Sequence, residues 1–353
     1  MGLVKYLPKT IKNYIIKSPL YNPYLKLYHR HQNLKFYYRH QILRYKFPTS
    51  INIALTYKCN LNCRMCGRLQ IVKNGNLDVA DMDFDLYRQI IDNFSESNLI
   101  TPKSVITLVG LGEPLMYPKL PEAFEYATNK LPQTPLYFNV NGTLLDKNMA
   151  TDLCRVLKEK DRILISINAA SRETYQWLMR SDNYDLVAEN IKQFLKIREG
   201  SKSRPMVKIQ LLDTKETHSE IKTFQTIWKP YLQPGVTTYI RRLVETKYID
   251  SHSLRVFDIS SSRYPCMALW FVLTIQVNGD IYPCCSINNR LPEYQLKLGN
   301  VNFGSIDEIY HSRIKNLRND HLKDDYRYLT TCEDCKVYAY YKNIWFKILN
   351  RFY

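Results

Sequence analysis

The sequence predicts an α/β protein: a parallel sheet, doubly wound or curled into a partial barrel, then a small antiparallel unit, with basic segments at both ends. Three observations carry this reading. Short β-branched runs near 51–57, 104–109, 136–141, 163–168, 206–212 and 236–243 alternate with helical patterns near 83–96, 119–130, 146–159, 184–198 and 217–229. Strands that alternate with helices run parallel, because each helix is the crossover between neighbours. Near residue 265 the rhythm breaks: Val272, Thr274 and Gln276 alternate with Leu273, Ile275 and Val277 and run into Asn278-Gly279, a two-residue hairpin signal. Charge supplies the third observation, since residues 1–77 hold fourteen Lys or Arg and no Asp or Glu, which marks a basic arm.

The arm, 1–48, shows loose helical spacing at Leu7, Ile11, Tyr14 and Ile15 and again at Leu34, Tyr38, Ile42 and Tyr45, broken by Pro19 and Pro23. Short amphipathic helices are expected there. The sheet unit follows over 49–255. Within it the 184–198 segment sets Val187, Ile191, Phe194 and Leu195 on one stripe and ends on Arg198, a basic last turn. The antiparallel unit occupies 256–336. The tail, 337–353, repeats the composition of the arm, with Lys342, Lys347 and Arg351 among Tyr338, Trp345 and Phe352. Basic residues interleaved with aromatics suit an anionic membrane surface. Packing of the rings on the sheet unit is the competing reading, and single-stranded nucleic acid is disfavoured.

With 45% hydrophobic and 24% charged residues over 353 positions, the composition is that of a soluble globular chain and excludes wholesale disorder. No apolar run approaches the ~18 residues of a membrane span. The opening MGLVKYLPKT lacks the apolar core of a secretory signal, so the cytoplasm is the expected compartment, with peripheral attachment to the inner face of the membrane if the basic ends dock there. Nine cysteines in such a chain point to metal or catalysis rather than disulfides. Cys154 falls in a helical pattern with Leu153 and Leu157 and reads as core. The seven histidines make no ligand spacing.

The first cysteine group, Cys59-Asn60-Leu61-Asn62-Cys63-Arg64-Met65-Cys66, directly follows the first strand. Three thiolates on one loop can hold three irons of a cubane and leave the fourth open, whereas an electron-transfer ferredoxin supplies four. The competing readings are a three-cysteine zinc site completed by His, or buried structural thiols. Further along stand Gly110-Leu111-Gly112-Glu113-Pro114, Asn141-Gly142-Thr143 and Ser166-Ile167-Asn168-Ala169, each after a later strand.

In these motifs the sequence resembles the radical S-adenosylmethionine (SAM) superfamily over roughly residues 50–335. The resemblance implies a partial (β/α)6 barrel, a 4Fe-4S cluster on Cys59, Cys63 and Cys66, and S-adenosylmethionine at the open iron. It also implies that Met65 stands where many members carry an aromatic against the adenine. Gly112, Glu113 and Pro114 then correspond to the element that meets the SAM amino group. Asn141 matches the end of the third strand, while Ser166 and Asn168 lie near the ribose, with Asn where the family has Asp. An electron donor such as flavodoxin or ferredoxin is implied as a partner.

The second cysteine group is Cys266, Cys284, Cys285, Cys332 and Cys335, and its C-x12-G-x4-C opening resembles the SPASM or twitch extension of that superfamily. The resemblance implies that Cys266, Cys284, Cys332 and Cys335 hold one auxiliary 4Fe-4S cluster; a four-cysteine zinc site is the alternative. Three readings of Cys285 stay open: a ligand in place of Cys284, a hydrogen-atom donor to a substrate radical, or a packed thiol. The implied reaction is dehydrogenation or epimerisation of a carbohydrate or aminocyclitol-like small molecule or glycan, lipid-linked if the ends dock at a membrane. Gln210, Arg241 and Arg242, near strand ends, are the candidate substrate contacts. Peptide modification is the alternative reading, and a non-catalytic metal protein docking at membranes is the alternative of another class.

Overall fold

In the computed structural model the described residues are 47–73, 78–97, 99–242, 265–284, 296–323, 325–327, 329–333 and 335. The basic arm apart from its last two residues, the basic tail and Cys285 lie outside them.

Six strands alternate with helices as the sequence predicts. They are β1 (Ser50–Ile53), β2 (Val105–Leu108), β3 (Leu136–Val140), β4 (Arg162–Ser166), β5 (Met206–Asp213) and β6 (Val236–Arg242), and each pairs in parallel with the next. The sheet is open. Its strands alternate buried and half-buried positions, as in Leu136-Tyr137-Phe138-Asn139-Val140, and fully buried Ile51, Ile53, Leu108, Phe138 and Ile165 fill the core. Each such side chain contributes about 1.5–3 kcal/mol of apolar burial. Because the strands are parallel, all their carboxyl ends lie along one margin.

The helices begin on caps that the sequence supplies. In chain order they are α1 (Arg68–Lys73), α2 (Phe84–Glu96), α3 (Leu120–Lys130), α4 (Lys147–Val156), α5 (Arg172–Met179), α6 (Tyr184–Glu199) and α7 (Ile221–Trp228). Asp83, Asp146 and Ser171 accept hydrogen bonds from the first-turn amides of α2, α4 and α5, which satisfies donors that the helix cannot. α1 and α5 are not foreseen by the hydrophobic pattern. In α6, Val187, Ile191, Phe194 and Leu195 are buried as expected, and so is Arg198. Instead of facing solvent, its guanidinium donates to the carbonyls of Pro205 at 2.6 Å and Pro234 at 2.9 Å.

The C-terminal part is built onto the same sheet. After α8 (Ala268–Phe271), β7 (Val272–Ile275) runs parallel to β1 along its free side, and β8 (Asp280–Tyr282) and β9 (Gly299–Asn300) follow antiparallel, giving the order β6-β5-β4-β3-β2-β1-β7-β8-β9. The β7–β8 connection differs from the two-residue turn that Asn278-Gly279 suggests. The Gln276 amide donates to the Asp280 carbonyl and the Gly279 amide to the Gln276 carbonyl, so the loop has three residues. Gly279, at φ +83°, takes its left-handed position. α9 (Ile306–Lys323) and α10 (Thr330–Glu333) complete the unit, with Tyr310 of α9 packed 5.0 Å from the Phe47 ring.

Candidate functional site

The chain leaves the sheet at Ile53 and enters the cysteine loop under tight control. The Tyr57 amide donates to Ala80 O at 2.9 Å, and Lys58 Nζ lies 2.7 Å from Asp81 Oδ2. Cys59, Cys63 and Cys66 are all half-buried, and the Cys66 amide closes a turn on the Cys63 carbonyl at 3.1 Å. Burial pushes each thiol up. Cys63 is pushed further by the charges of Cys66 and Cys59, while the Arg68 cation pulls Cys59 and Cys66 back down. Three soft ligands therefore converge beside one buried cation.

α5 grips this loop. The Arg64 amide donates to Leu178 O at 2.9 Å and its Nε to Trp177 O at 2.7 Å, with the guanidinium 4.8 Å from the centre of the Trp177 ring. Met65 packs against Leu178 of α5 and Leu212 of β5. The sequence names Arg64 and Met65 as loop residues but carries no local sign of their partners.

The segment after β2 presses on the loop from the other side. A Cβ on Gly112 would stand 2.3 Å from Thr56 O and 2.6 Å from Lys58 O, so only glycine fits. The Glu113 amide donates to Lys58 O at 2.7 Å. Its buried carboxylate accepts from the Asn141 amide at 2.8 Å and the Leu115 amide at 3.2 Å, with Pro114 opening a short 3-10 turn. Burial, only partly offset by those two bonds, raises Glu113 to about 7. Each oxygen keeps acceptor capacity for an incoming cation.

The ends of β3, β4 and β5 complete the margin. Asn141 donates to Asn60 Oδ1 at 2.9 Å and accepts from the Thr143 amide at 2.9 Å, and Asn60 donates to Thr143 Oγ1 at 2.8 Å. Asn168 adopts φ +60°, the left-handed region that Asn tolerates better than most residues. Gln210 donates to Asn168 Oδ1 at 3.0 Å and Ser166 Oγ at 3.3 Å, while its own buried Oε1 has no hydrogen-bond partner among the described residues. An orphaned acceptor beside Ser166 and Asn168 fits a ligand hydroxyl. Arg241 and Arg242 do not join this cluster. Both are exposed at the end of β6, where Arg242 Nε lies 3.8 Å from Asp213 Oδ2, and Asp213 also holds His218 Nδ1 at 2.8 Å.

The second thiol set is drawn together from three places. Cys266 precedes α8, Cys284 follows β8, Cys332 lies within α10, and the Cys335 amide donates to the Cys332 carbonyl at 3.2 Å. Burial drives the Cys266 thiol well up, and the charges of Cys284, Cys335 and Cys332 add to it. The Cys266 amide donates to Nδ1 of buried His321 at 3.3 Å. Among the described residues no three metal-binding side chains close around the point of a single ion.

The fold and the two thiol sets are those of a metal-binding protein on an open, mostly parallel α/β sheet. Comparison with known families sharpens that class: residues 53–219 match the Radical SAM superfamily and residues 266–336 match SPASM, an iron-sulfur cluster-binding domain. The chain belongs to the radical SAM superfamily and carries a C-terminal SPASM domain, which together imply a 4Fe-4S cluster that binds S-adenosylmethionine and further iron-sulfur binding in the C-terminal part.

Among curated relatives, an uncharacterised protein of Methanocaldococcus jannaschii is 32% identical over 145 residues, 40% of this chain and 42% of its own length. A probable GTP 3′,8-cyclase of Saccharolobus islandicus is 29% identical over 147 residues, 42% of this chain and 44% of its own. The chain thus spans less than half the length of these relatives. Of solved structures, SuiB of Streptococcus suis bound to S-adenosylmethionine aligns with a TM-score of 0.59 at 15% identity, covering 84% of this chain and 73% of SuiB. The anSMEcpe structure with bound AdoMet gives 0.56 at 15% identity, covering 82% and 87%. These likenesses concern the fold. No helix among the described residues is long and apolar enough to cross a membrane.

Proposed function

We propose that the chain reductively cleaves S-adenosylmethionine at a cluster on Cys59, Cys63 and Cys66 and abstracts hydrogen from a polar small substrate, with Cys266, Cys284, Cys332 and Cys335 holding one auxiliary, twitch-type cluster. The observation that carries the reading is the thiol count. Three converging thiols leave one iron of a cubane without a protein ligand, and four leave none. When bound, the two clusters supply the redox chemistry. The cluster on Cys59, Cys63 and Cys66 would supply the one electron for reductive cleavage of S-adenosylmethionine to methionine and a hydrogen-abstracting 5′-deoxyadenosyl group, and the cluster on Cys266, Cys284, Cys332 and Cys335 would accept the one electron that the substrate gives up, its proton passing to solvent.

The protein's own groups bind and orient. Glu113, held by two backbone amides, faces the ammonium of the cosubstrate, whose charge stabilises the ionised carboxylate against burial. Ser166, Asn168 and the free Gln210 acceptor receive the ribose hydroxyls, and Met65 lies beside the adenine. Arg241 and Arg242, exposed at the end of β6, reach the substrate at the outer margin. The preferred substrate is a carbohydrate or aminocyclitol-like compound undergoing dehydrogenation. Epimerisation would instead need a hydrogen donor, for which Cys285 is the candidate.

Anaerobically reconstituted, dithionite-reduced protein is expected to release 5′-deoxyadenosine from S-adenosylmethionine. Protein with a filled N-terminal cluster and no release would overturn the reading in favour of a metal protein without this chemistry. Deuterium transfer from labelled candidates into 5′-deoxyadenosine identifies the substrate. A second reading, peptide modification, draws support from SuiB bound to precursor peptide SuiA and anSMEcpe bound to a Cp18Cys peptide; labelled peptides in the same assay separate the two. The basic segments 1–48 and 337–353 are proposed to dock on an anionic inner membrane face. Unchanged liposome flotation after their removal would eliminate that role.

A further inference from the structure

Tyr175 is a tyrosine in the interior of α5. The residue is fully buried, and among the described residues its hydroxyl oxygen has no hydrogen-bond partner. Other buried tyrosines here are satisfied: Tyr87 donates to Ala123 O at 2.9 Å and Tyr117 to Met82 O at 3.0 Å. A buried donor without an acceptor costs free energy, so such a hydroxyl calls for a partner that the described residues do not supply.

The surroundings indicate which one. Tyr175 lies on α5, the helix whose Trp177 and Leu178 carbonyls hold Arg64, the residue next to Cys63. Burial pushes the Tyr175 hydroxyl up, and Cys63 adds to the push. On its other side the ring meets Tyr184 edge-on at 5.8 Å, and the Tyr184 hydroxyl is already committed to Ala170 O at 3.0 Å. The unpaired donor thus belongs to the helix that is pinned to the cysteine loop beside Cys63.

We propose that the Tyr175 hydroxyl donates a hydrogen bond to a sulfur of the cluster held at Cys63 and so makes that cluster easier to reduce. This rests on the assignment of the cluster to Cys59, Cys63 and Cys66. The reduced cluster carries one more negative charge than the oxidised one, so a donor at its sulfur stabilises the reduced form more. Only an electron is taken up; the proton stays on the tyrosine. Tyr175 is thus a positioning residue that acts through the cluster.

The test is Tyr175→Phe in the full, anaerobically reconstituted chain, with Tyr184→Phe as control. The N-terminal cluster is recognised by the change that S-adenosylmethionine makes in its EPR spectrum, and its reduced-to-oxidised ratio is read at one fixed poise. Tyr175→Phe is expected to lower that ratio about five- to tenfold, the size of one ordinary hydrogen bond, and to leave the melting temperature of the metal-free protein unchanged or higher. Tyr184→Phe is expected to lower the melting temperature with no change in ratio. An unchanged ratio in Tyr175→Phe with full iron content overturns the proposal, as does an equal shift in both variants. Absence of any signal that responds to S-adenosylmethionine in the wild type would instead strike the cluster assignment itself.

Discussion

Cys59, Cys63 and Cys66 lie within eight consecutive residues, whereas Cys266, Cys284, Cys332 and Cys335 are spread over seventy. The first set is shaped from outside, by α5 on one flank and by Gly112 and Glu113 on the other. The second is shaped by its own unit, since its thiols are brought near one another from before α8, from the end of β8 and from α10 and the residues after it. The loop is fixed by elements that lie outside it in the sequence. A cluster held by the second set, the cage, would itself tie the C-terminal unit together.

Removing one thiol from each set separates the two cases most strongly. Cys63→Ala is expected to cut 5′-deoxyadenosine release beyond about a hundredfold, more than the loss of an outer-shell partner, while the fold survives and about four irons remain in the auxiliary site. A variant that unfolds instead would show the loop to be as structural as the cage. Cys332→Ala is expected to lower iron from about eight to about four per chain, with a reduced melting temperature and S-adenosylmethionine cleavage kept within a fewfold. Iron analysis that finds one zinc in place of the lost four irons would replace the auxiliary cluster with a structural metal.

A pH series tests the scaffold flanking the loop. Glu113 rises from 4.5 when unfolded to about 7 when folded. The stability linked to its neutral form is therefore fully present below about pH 4.5 and lost as pH rises through about 7, on the order of 3 kcal/mol. Urea unfolding of metal-free Glu113→Gln should lack that part of the slope; identical slopes in both proteins would remove Glu113 as its source. The smallest effect belongs to the cage hairpin. Gly279→Ala forces a side chain into φ +83° and is expected to cost about 1 kcal/mol, seen as a melting temperature lower by a few degrees.

What could be read from the sequence follows the same division. The alternation of six strands with helices, the loop cysteines and the segments at Gly112, Asn141 and Ser166 are local patterns, so they were legible as such. The grip of Trp177 and Leu178 on Arg64 joins residues more than a hundred positions apart, and no periodicity encodes it. Pairing of β7 with β1 is equally non-local; alternation announces a strand but not its neighbour. At the hairpin, Asn278-Gly279 signalled a turn correctly, and the hydrogen bonds of Gln276 decided its length. Gln210 was marked by its place near a strand end, but its unpaired oxygen became visible only with Ser166 and Asn168 around it.

The seating of β7 against β1 has a consequence for dissecting the molecule. The Ala54 amide bonds Ile275 O at 2.9 Å, and Tyr57 hydrogen-bonds Gln276 across the same seam. Cutting the chain before Cys266 would strip the cover from β1 and leave a raw margin of amides and carbonyls beside the cysteine loop, a template on which a second molecule could zip. The C-terminal unit is thus a seal as well as an iron carrier, and the two halves are poor candidates for separate expression.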